Sequence, residues 1–461
     1  MAGPIPRSRR PVAALAAVLL TLGASACSDG DDGSRPAPSS TVPQETACPV
    51  GDPVPDAAPT RVADPVPVAP PPDQPAGPGL DVGALLPRSG DLAFLGAPAV
   101  AAAELAVGDL NEAGGILGAP VVLRHGDSAE GADGAAEAAV AALLDAGSDV
   151  VIGPLSSSAA AAVLDRVAAA DRVLVSPGAT AVALDRLDGG GRLFRTVATE
   201  SVQGRALAGL VLADGIRRVD LVVRADAYGG AVATGFTEAF QRGGGVVARR
   251  HDRPPADEGD PLGPLAQGPP AEATVLAGLA DLAPVVDALV EAGRGPLDHP
   301  TYATDGALGE RFGDLVAERS SLACLRGLLA VAPPDDDFAT AVRSRLDALG
   351  APAGDDPGLV LDHAAETYDA VVAAALATQV AGAADGAAIA AALPQVTSGG
   401  TPCRSPQECL RLVGGGTDLA YVGRSGPLPF GPQGNRRTAT TTLAAFDAEG
   451  HLARLGSHPR P

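Results

Sequence analysis

An α/β fold with parallel sheets, divided between two lobes, is predicted from three features of the sequence. β-Branched runs alternate with Ala-rich helical stretches from residue 80 onward, the pattern of strand–helix–strand units. Two of those runs end in Gly/Ser/Thr turns. Val150-Val151-Ile152 leads into Gly153-Pro154-Leu155-Ser156-Ser157-Ser158, and Val173-Leu174-Val175 leads into Ser176-Pro177-Gly178-Ala179-Thr180. The succession also holds more strands than one sheet of ordinary size, which favours two lobes.

The elements follow in order. Arg7, Arg9 and Arg10 precede a short apolar run over 11–22, and Ala24-Ser25-Ala26 precedes Cys27. Charge, short apolar core and small-residue site together make an export signal over 1–26, too short for a mature membrane span. Residues 27–79 are rich in Pro, Asp, Ser and Gly without apolar periodicity, a tether with partial polyproline character. Residues 80–86 read as a strand, 96–113 as a helix stopped by Gly114-Gly115, 121–124 as a strand and 135–145 as a helix. The two diagnostic turns come next. A helix over 201–213, strand 221–224, helix 229–240, strand 246–249, strand 274–276 and helix 284–292 continue the alternation. A helical pair over 336–349 and 361–380 and a hairpin-like end over 440–454 complete the lobes. After the signal, no apolar run reads as long enough to span a bilayer.

Composition narrows the chemistry. The 461 residues are 46% hydrophobic but only 3% aromatic, so the core is built from Ala, Val and Leu. Every basic side chain is Arg, which excludes a GxxxxGK[ST] phosphate loop and lysine Schiff-base chemistry. A net charge of −22 disfavours nucleic acid, whose phosphates need a basic patch. The six histidines, His125, His251, His299, His363, His451 and His458, fall in no paired metal-ligand spacing. No GxSxG elbow is present, and Asp335, Asp336 and Asp337 read as a solvated acidic start to a helix. No cofactor or metal is expected, and no enzymatic activity.

Cysteine arithmetic bears on the anchor. With Cys27 set aside for lipid, Cys48, Cys324, Cys403 and Cys409 remain, an even set for an oxidising compartment. Cys403 and Cys409 are close enough to close a small loop, leaving Cys48 with Cys324. The segment ending at Cys27 resembles a bacterial lipobox, with Ala24 in place of the usual Leu. Ala-x-Ala also suits ordinary signal peptidase, but the even set of remaining cysteines favours lipid anchoring, with soluble secretion as the alternative.

A strand that ends in a Gly/Ser/Thr turn and opens a helix leaves backbone N–H groups unpaired beside small hydroxyls. Two such turns one helix apart lie at the carboxyl ends of neighbouring parallel strands, where open α/β sheets bind ligands. Ser156, Ser157, Ser158 and Thr180 therefore suit a small anion such as an amino acid's carboxylate. Each Ser equally suits a helix cap, and Asp305 before Gly306 equally suits a turn.

From residue 80 to about 455 the chain resembles the type I periplasmic binding proteins, in particular the branched-chain amino acid receptors of ABC transporters. The matching stretches are Gly83-Ala84-Leu85-Leu86-Pro87-Arg88-Ser89-Gly90, Asp109-Leu110-Asn111-Glu112-Ala113-Gly114-Gly115-Ile116-Leu117-Gly118, and the two turns. The resemblance implies two Rossmann-like lobes joined by three crossovers, with lobe one over 80–196 and 306–393 and lobe two over 197–305 and 394–461. It makes 398–413 an insertion. It implies that Ser157 and Thr180 hold the ligand's α-carboxylate, that the Gly178 carbonyl faces the α-ammonium, that Asp305 neutralises that ammonium, and that Tyr228 lines the cleft. Leu95 and Leu279 stand where the family has tyrosines, implying a roomier, more apolar pocket. The implied function is an extracytoplasmic, membrane-anchored receptor that delivers an amino acid or analogue to an ABC permease. The alternative is a sensing domain that reads amides or other small solutes for a signalling partner.

Overall fold

The computed structural model describes residues 79–90, 92–129, 132, 134–254, 259–331, 335–350 and 361–460. The export signal, Cys27, Cys48 and the tether through residue 78 lie outside the described residues. The chain begins β1 (Asp81–Leu86), α1 (Ala93–Glu112), β2 (Val122–Asp127), α2 (Ala135–Asp145), β3 (Val150–Ile152), α3 (Ser157–Ala169), β4 (Val173–Ser176) and β5 (Leu193–Ala198). It continues with α4 (Glu200–Ala213), β6 (Arg218–Arg224), α5 (Ala227–Arg242), β7 (Val246–Arg253), β8 (Ala273–Ala277), α6 (Ala283–Glu291), β9 (Thr301–Thr304), α7 (Glu310–Gly313) and β10 (Arg326–Leu329). Then come α8 (Asp336–Ala348), α9 (Ala364–Ala381), α10 (Gly386–Val396), β11 (Thr401–Cys403), α11 (Pro406–Gly414), β12 (Leu419–Gly423), β13 (Gly426–Pro427), β14 (Asn435–Arg436), β15 (Ala439–Phe446) and β16 (Leu452–Arg460).

Two sheets carry the lobes. The first has strand order β14-β5-β4-β3-β1-β2 and is parallel throughout. The second has order β16-β15-β10-β9-β8-β6-β7, parallel except where β15 and β16 run antiparallel at one side. Strand period two sorts the first core: Val82, Ala84, Val150, Ile152 and Val175 face α1, α9 and α10, while Leu85, Val151 and Leu174 face α2 and α3. The second sheet divides the same way, with Val222 and Leu276 toward α6 and Leu221, Val223 and Val275 toward α4 and α5.

The crossovers correct the expected boundaries. The first crossover runs from β5 to α4. The second comes after residue 331 rather than at 306: β10 pairs in parallel with β9, and Leu308, Phe312, Leu322 and Leu325 bury in the second lobe's core. Short strands among Gly and Ala gave these elements no sequence signal. Residues 394–436 likewise stay with the first lobe. Within them, β11, β12 and β13 form a small sheet whose Cys403, Cys409, Leu419 and Tyr421 bury against the Ala-rich core. Cys403 and Cys409 are bonded, with their Cα atoms 5.3 Å apart. Cys324 is also in a disulfide; its expected partner, Cys48, lies outside the described residues. The third crossover is β14 to β15.

The sequence reading found no span after the signal, yet α1 is long and apolar enough by length and composition to cross a membrane. Its Ala99, Ala101, Ala102, Ala103 and Ala106 are instead buried in the core beside Ala370, Ala373, Ala374 and Ala377 of α9. Small side chains on both helices allow this close approach.

Arg436 ties the crossovers together. Fully buried, it donates to the Thr196 carbonyl on β5 at 2.9 Å, to Pro427 O at 3.0 Å, to Ser425 Oγ at 3.0 Å and to Thr440 Oγ1 on β15 at 3.3 Å. Arg436→Met removes these donors and leaves buried carbonyls unpaired. It should lower unfolding stability by about 3–5 kcal/mol, measured by urea denaturation; a loss under ~1 kcal/mol refutes the tie.

Candidate functional site

The first turn is shaped by backbone crowding. Gly153 sits at φ +109°, and a β-carbon there would lie 2.0 Å from the Leu85 carbonyl oxygen, so only glycine fits between β3 and β1. Ser156 then caps α3, its Oγ accepting from Ala159 N–H at 3.2 Å and lying 3.2 Å from Ser158 Oγ. Ser157 does something else: its Oγ accepts the N–H of Ala181 at 3.1 Å, reaching into the second turn. Ser176 ties the turns again, donating to Pro154 O at 2.6 Å while accepting from Ala179 N–H at 3.0 Å. Gly178 lies close under the first turn, where a β-carbon would meet Leu155 O at 2.6 Å. Ser157 and Thr180, 23 residues apart in number, thus belong to one surface. The backbone N–H groups of Ser157, Ser158 and Thr180 have no acceptor among the described residues.

Behind this surface lies Arg195, fully buried on β5. It donates to Ala181 O at 2.8 Å, to Ala179 O at 3.4 Å and to Asn435 Oδ1 at 2.6 Å, and pairs with Asp185. The turn's carbonyls are drawn backward onto the guanidinium.

The second lobe contributes an acid. Asp305 follows β9, and its Oδ1 accepts from Tyr228 Oη and from Gly306 N–H at 2.7 Å. Gln203, buried on α4, hydrogen-bonds Asp305 and lies 3.2 Å from Tyr228 Oη. Burial raises the Asp305 pKa above the ordinary carboxylate value, against the hydrogen bonds from Tyr228, Gln203 and Gly306 and the charge of His363. Burial likewise pushes the Tyr228 phenol up, helped by the Asp305 charge beside it.

Sequence reasoning missed Glu200, Gln203 and His363. Glu200 opens α4 at the first crossover; its Oε1 accepts from Thr180 Oγ1 at 3.4 Å and its Oε2 from Val182 N–H at 3.1 Å. Burial raises its pKa, opposed by those hydrogen bonds and by Arg195, and the neighbouring Asp305 charge raises it further. Glu200 thus stands between the lobe-one turns and the lobe-two acid. An acidic residue in a helix's first turn looks like any dipole-compensating residue, so its sequence carries no distinguishing mark. His363 opens α9, its Nδ1 3.0 Å from the Pro177 carbonyl; an isolated histidine fits no motif.

Other expected positions divide. Leu279 lies against Gly306, beside Asp305, whereas Leu95 belongs to the lobe-one core. Ser89 turns toward Asp127, donating at 2.7 Å, and shapes its own loop. Asp335 caps α8 through Phe338 N–H at 2.8 Å.

The sequence profile of the periplasmic binding protein family matches residues 79–407. Leu/Ile/Val-binding protein BraC3 of Rhizobium johnstonii is 32% identical over 166 residues, covering 36% of this chain and 45% of the relative. The matched stretch therefore spans under half of that relative's length. The chemotactic signal transduction system substrate-binding protein BasB of Halobacterium salinarum is 28% identical over 367 residues, 76% of this chain and 83% of BasB. The crystal structure of LivJ, a branched-chain amino acid transporter substrate-binding protein from Streptococcus pneumoniae in complex with isoleucine, matches with a TM-score of 0.59 at 21% identity. That match covers 83% of this chain and all of LivJ, and it shows the shared fold. With its two sheet-based lobes, three crossovers and a family match over residues 79–407, the chain belongs to the periplasmic binding proteins.

Proposed function

We propose that this protein is an extracytoplasmic solute-binding lipoprotein, anchored through Cys27, that captures a small amino-acid-like ligand and passes it unaltered to an ABC permease. The observation that carries this reading is three unpaired N–H groups on the lobe-one turns together with the half-buried Asp305 carboxylate on lobe two. A zwitterion fits between them. Its carboxylate takes the N–H groups of Ser157, Ser158 and Thr180, and also the Ser157 hydroxyl, whose own proton is left to donate because its oxygen accepts from Ala181. Its ammonium faces Asp305 and the Gly178 carbonyl. Thr180 donates its hydroxyl proton to Glu200, so its oxygen turns lone pairs to the site and serves the ammonium, while its N–H serves the carboxylate. Tyr228 holds Asp305 in place. Charge-assisted hydrogen bonds at both ends, with water excluded as the lobes close, supply the affinity. No step needs a nucleophile, base or cofactor.

The BasB relative, by its name a substrate-binding protein of chemotactic signalling, supports a second reading in which the same capture is reported to a signalling partner. Deleting the chain abolishes uptake of labelled ligand under the transport reading and leaves uptake intact under the sensing one.

Asp305→Ala leaves a buried ammonium unpaired and should weaken binding by about 2–5 kcal/mol, read by titration calorimetry; unchanged affinity refutes the assignment. Because burial raises the free-state pKa of Asp305 and a bound ammonium lowers it, binding expels a proton. Affinity should be full above the free-state value and fall as pH drops through it. Asp305→Asn should flatten that fall, and an equally steep profile in the variant rules the linkage out. Cys27→Ser should move the protein from the membrane fraction to the soluble one; retention in the pellet overturns the lipid anchor.

A further inference from the structure

His363 is held in an unfavourable backbone conformation. It stands at the N-terminal position of α9 at φ +66°, the left-handed region that is uncommon outside glycine, though Asn, Asp and His are enriched there. Residues kept in such regions cluster at ligand sites, where the surrounding structure fixes them for what the side chain does. The place is consistent with this. The imidazole Nδ1 lies 3.0 Å from Pro177 O, in the lobe-one turn that also carries Gly178 and Thr180.

That contact sets the ring's chemistry. A carbonyl oxygen has no proton to give, so Nδ1 carries the hydrogen and donates it. In the neutral ring Nε2 is then a bare acceptor, and the divergence of the two nitrogens turns it away from the turn. On the lobe-two side stands Asp305, near enough for the imidazole's charge to bear on its carboxyl. The ring is thus bonded to one turn of the lobe-one surface and close enough to the lobe-two acid for their charges to interact. Glu200 is the other titratable group beside Asp305, and it is occupied with Thr180 and Val182. Tyr228 is occupied with Asp305.

An amino acid's two α-groups are accounted for without His363. From this, and resting on the amino-acid reading above, we propose that His363 is a specificity-determining residue whose Nε2 accepts a hydrogen bond from the guest's side chain. The cognate ligand is then an amino acid with an uncharged hydrogen-donating side chain, an amide or a hydroxyl, and not a branched aliphatic one. An aliphatic guest would cover Nε2 without pairing it, and a site built to hydrogen-bond its substrate rejects the analogue that cannot.

The test is calorimetric titration of the full chain at about pH 8, where an ordinary imidazole is neutral, with free glutamine, asparagine, serine, leucine and glycine as probes. The amide or hydroxyl amino acids should bind at least ~10-fold tighter than leucine, the discrimination expected of one side-chain hydrogen bond. His363→Gly relieves the backbone conformation while removing the ring. It should erase that preference. His363→Asn, also tolerated at positive φ, should retain part of the preference. Leucine binding tightest to the parent, or a preference that survives His363→Gly, overturns the inference and leaves the receptor reading standing. Failure of all five amino acids to bind the parent overturns both.

Discussion

The hydrogen bond from the Ala181 N–H to the Ser157 hydroxyl joins two loops that the sequence separates by a helix. With Ser176 spanning to Pro154 behind it, it turns two separate strand-to-helix junctions into one surface. The junctions can approach because Gly153 and Gly178 have no side chain where Leu85 and Leu155 present their carbonyls. The rest of the site depends on this approach. The N–H groups converge because the turns do, and Arg195 can hold both Ala179 and Ala181 only because their carbonyls point back toward β5.

Charge is distributed unevenly around that surface. Two acids, the buried Glu200 at the first crossover and the half-buried Asp305 on the second lobe, lie near one another, and each is made harder to ionise by burial. The guanidinium that offsets Glu200 belongs to Arg195 and sits behind the turn, bound to carbonyls. The acid side of the site is therefore short of positive charge until something cationic enters. Any cation bound there would favour the ionised form of both acids, so its binding would be linked to pH. In a chain without lysine, buried positive charge falls to arginine. Its planar fork satisfies several carbonyls at once, as Arg195 and Arg436 both do.

The core follows from composition in an unusual way. With few aromatic residues, volume is filled by bringing backbones closer. The most enclosed helix, α9, is buried on every side from Ala364 to Thr378, the expected fate of a helix without a polar face. Its facing helix, α1, meets it with a run of alanines. The same property gives α1 the composition of a membrane span, and packing within the first lobe determines its place.

Much of the architecture was legible along the chain. Period-two runs and the helical stretches between them identified the sheets, and the Ser-rich and Ala-Thr turns marked the surface that the structure assembles. Local pattern was enough there because strand alternation, caps and glycine turns are properties of a few adjacent residues. Less was legible where contacts are distant. The family resemblance implied the second crossover at 306; β9 and β10 are too short to show a period of their own, and only their pairing in the second sheet places them there. Glu200 and His363 looked ordinary because an acid in a helix's first turn and a lone histidine acquire meaning only from what stands across the fold. Sequence by itself determined the class of fold and marked the two strand-to-helix turns that the structure joins. Tertiary structure decided the lobe boundaries, the company of Asp305 and the tautomer of His363, because sheet pairing, burial and charge neighbourhood are long-range quantities that no local run of residues encodes.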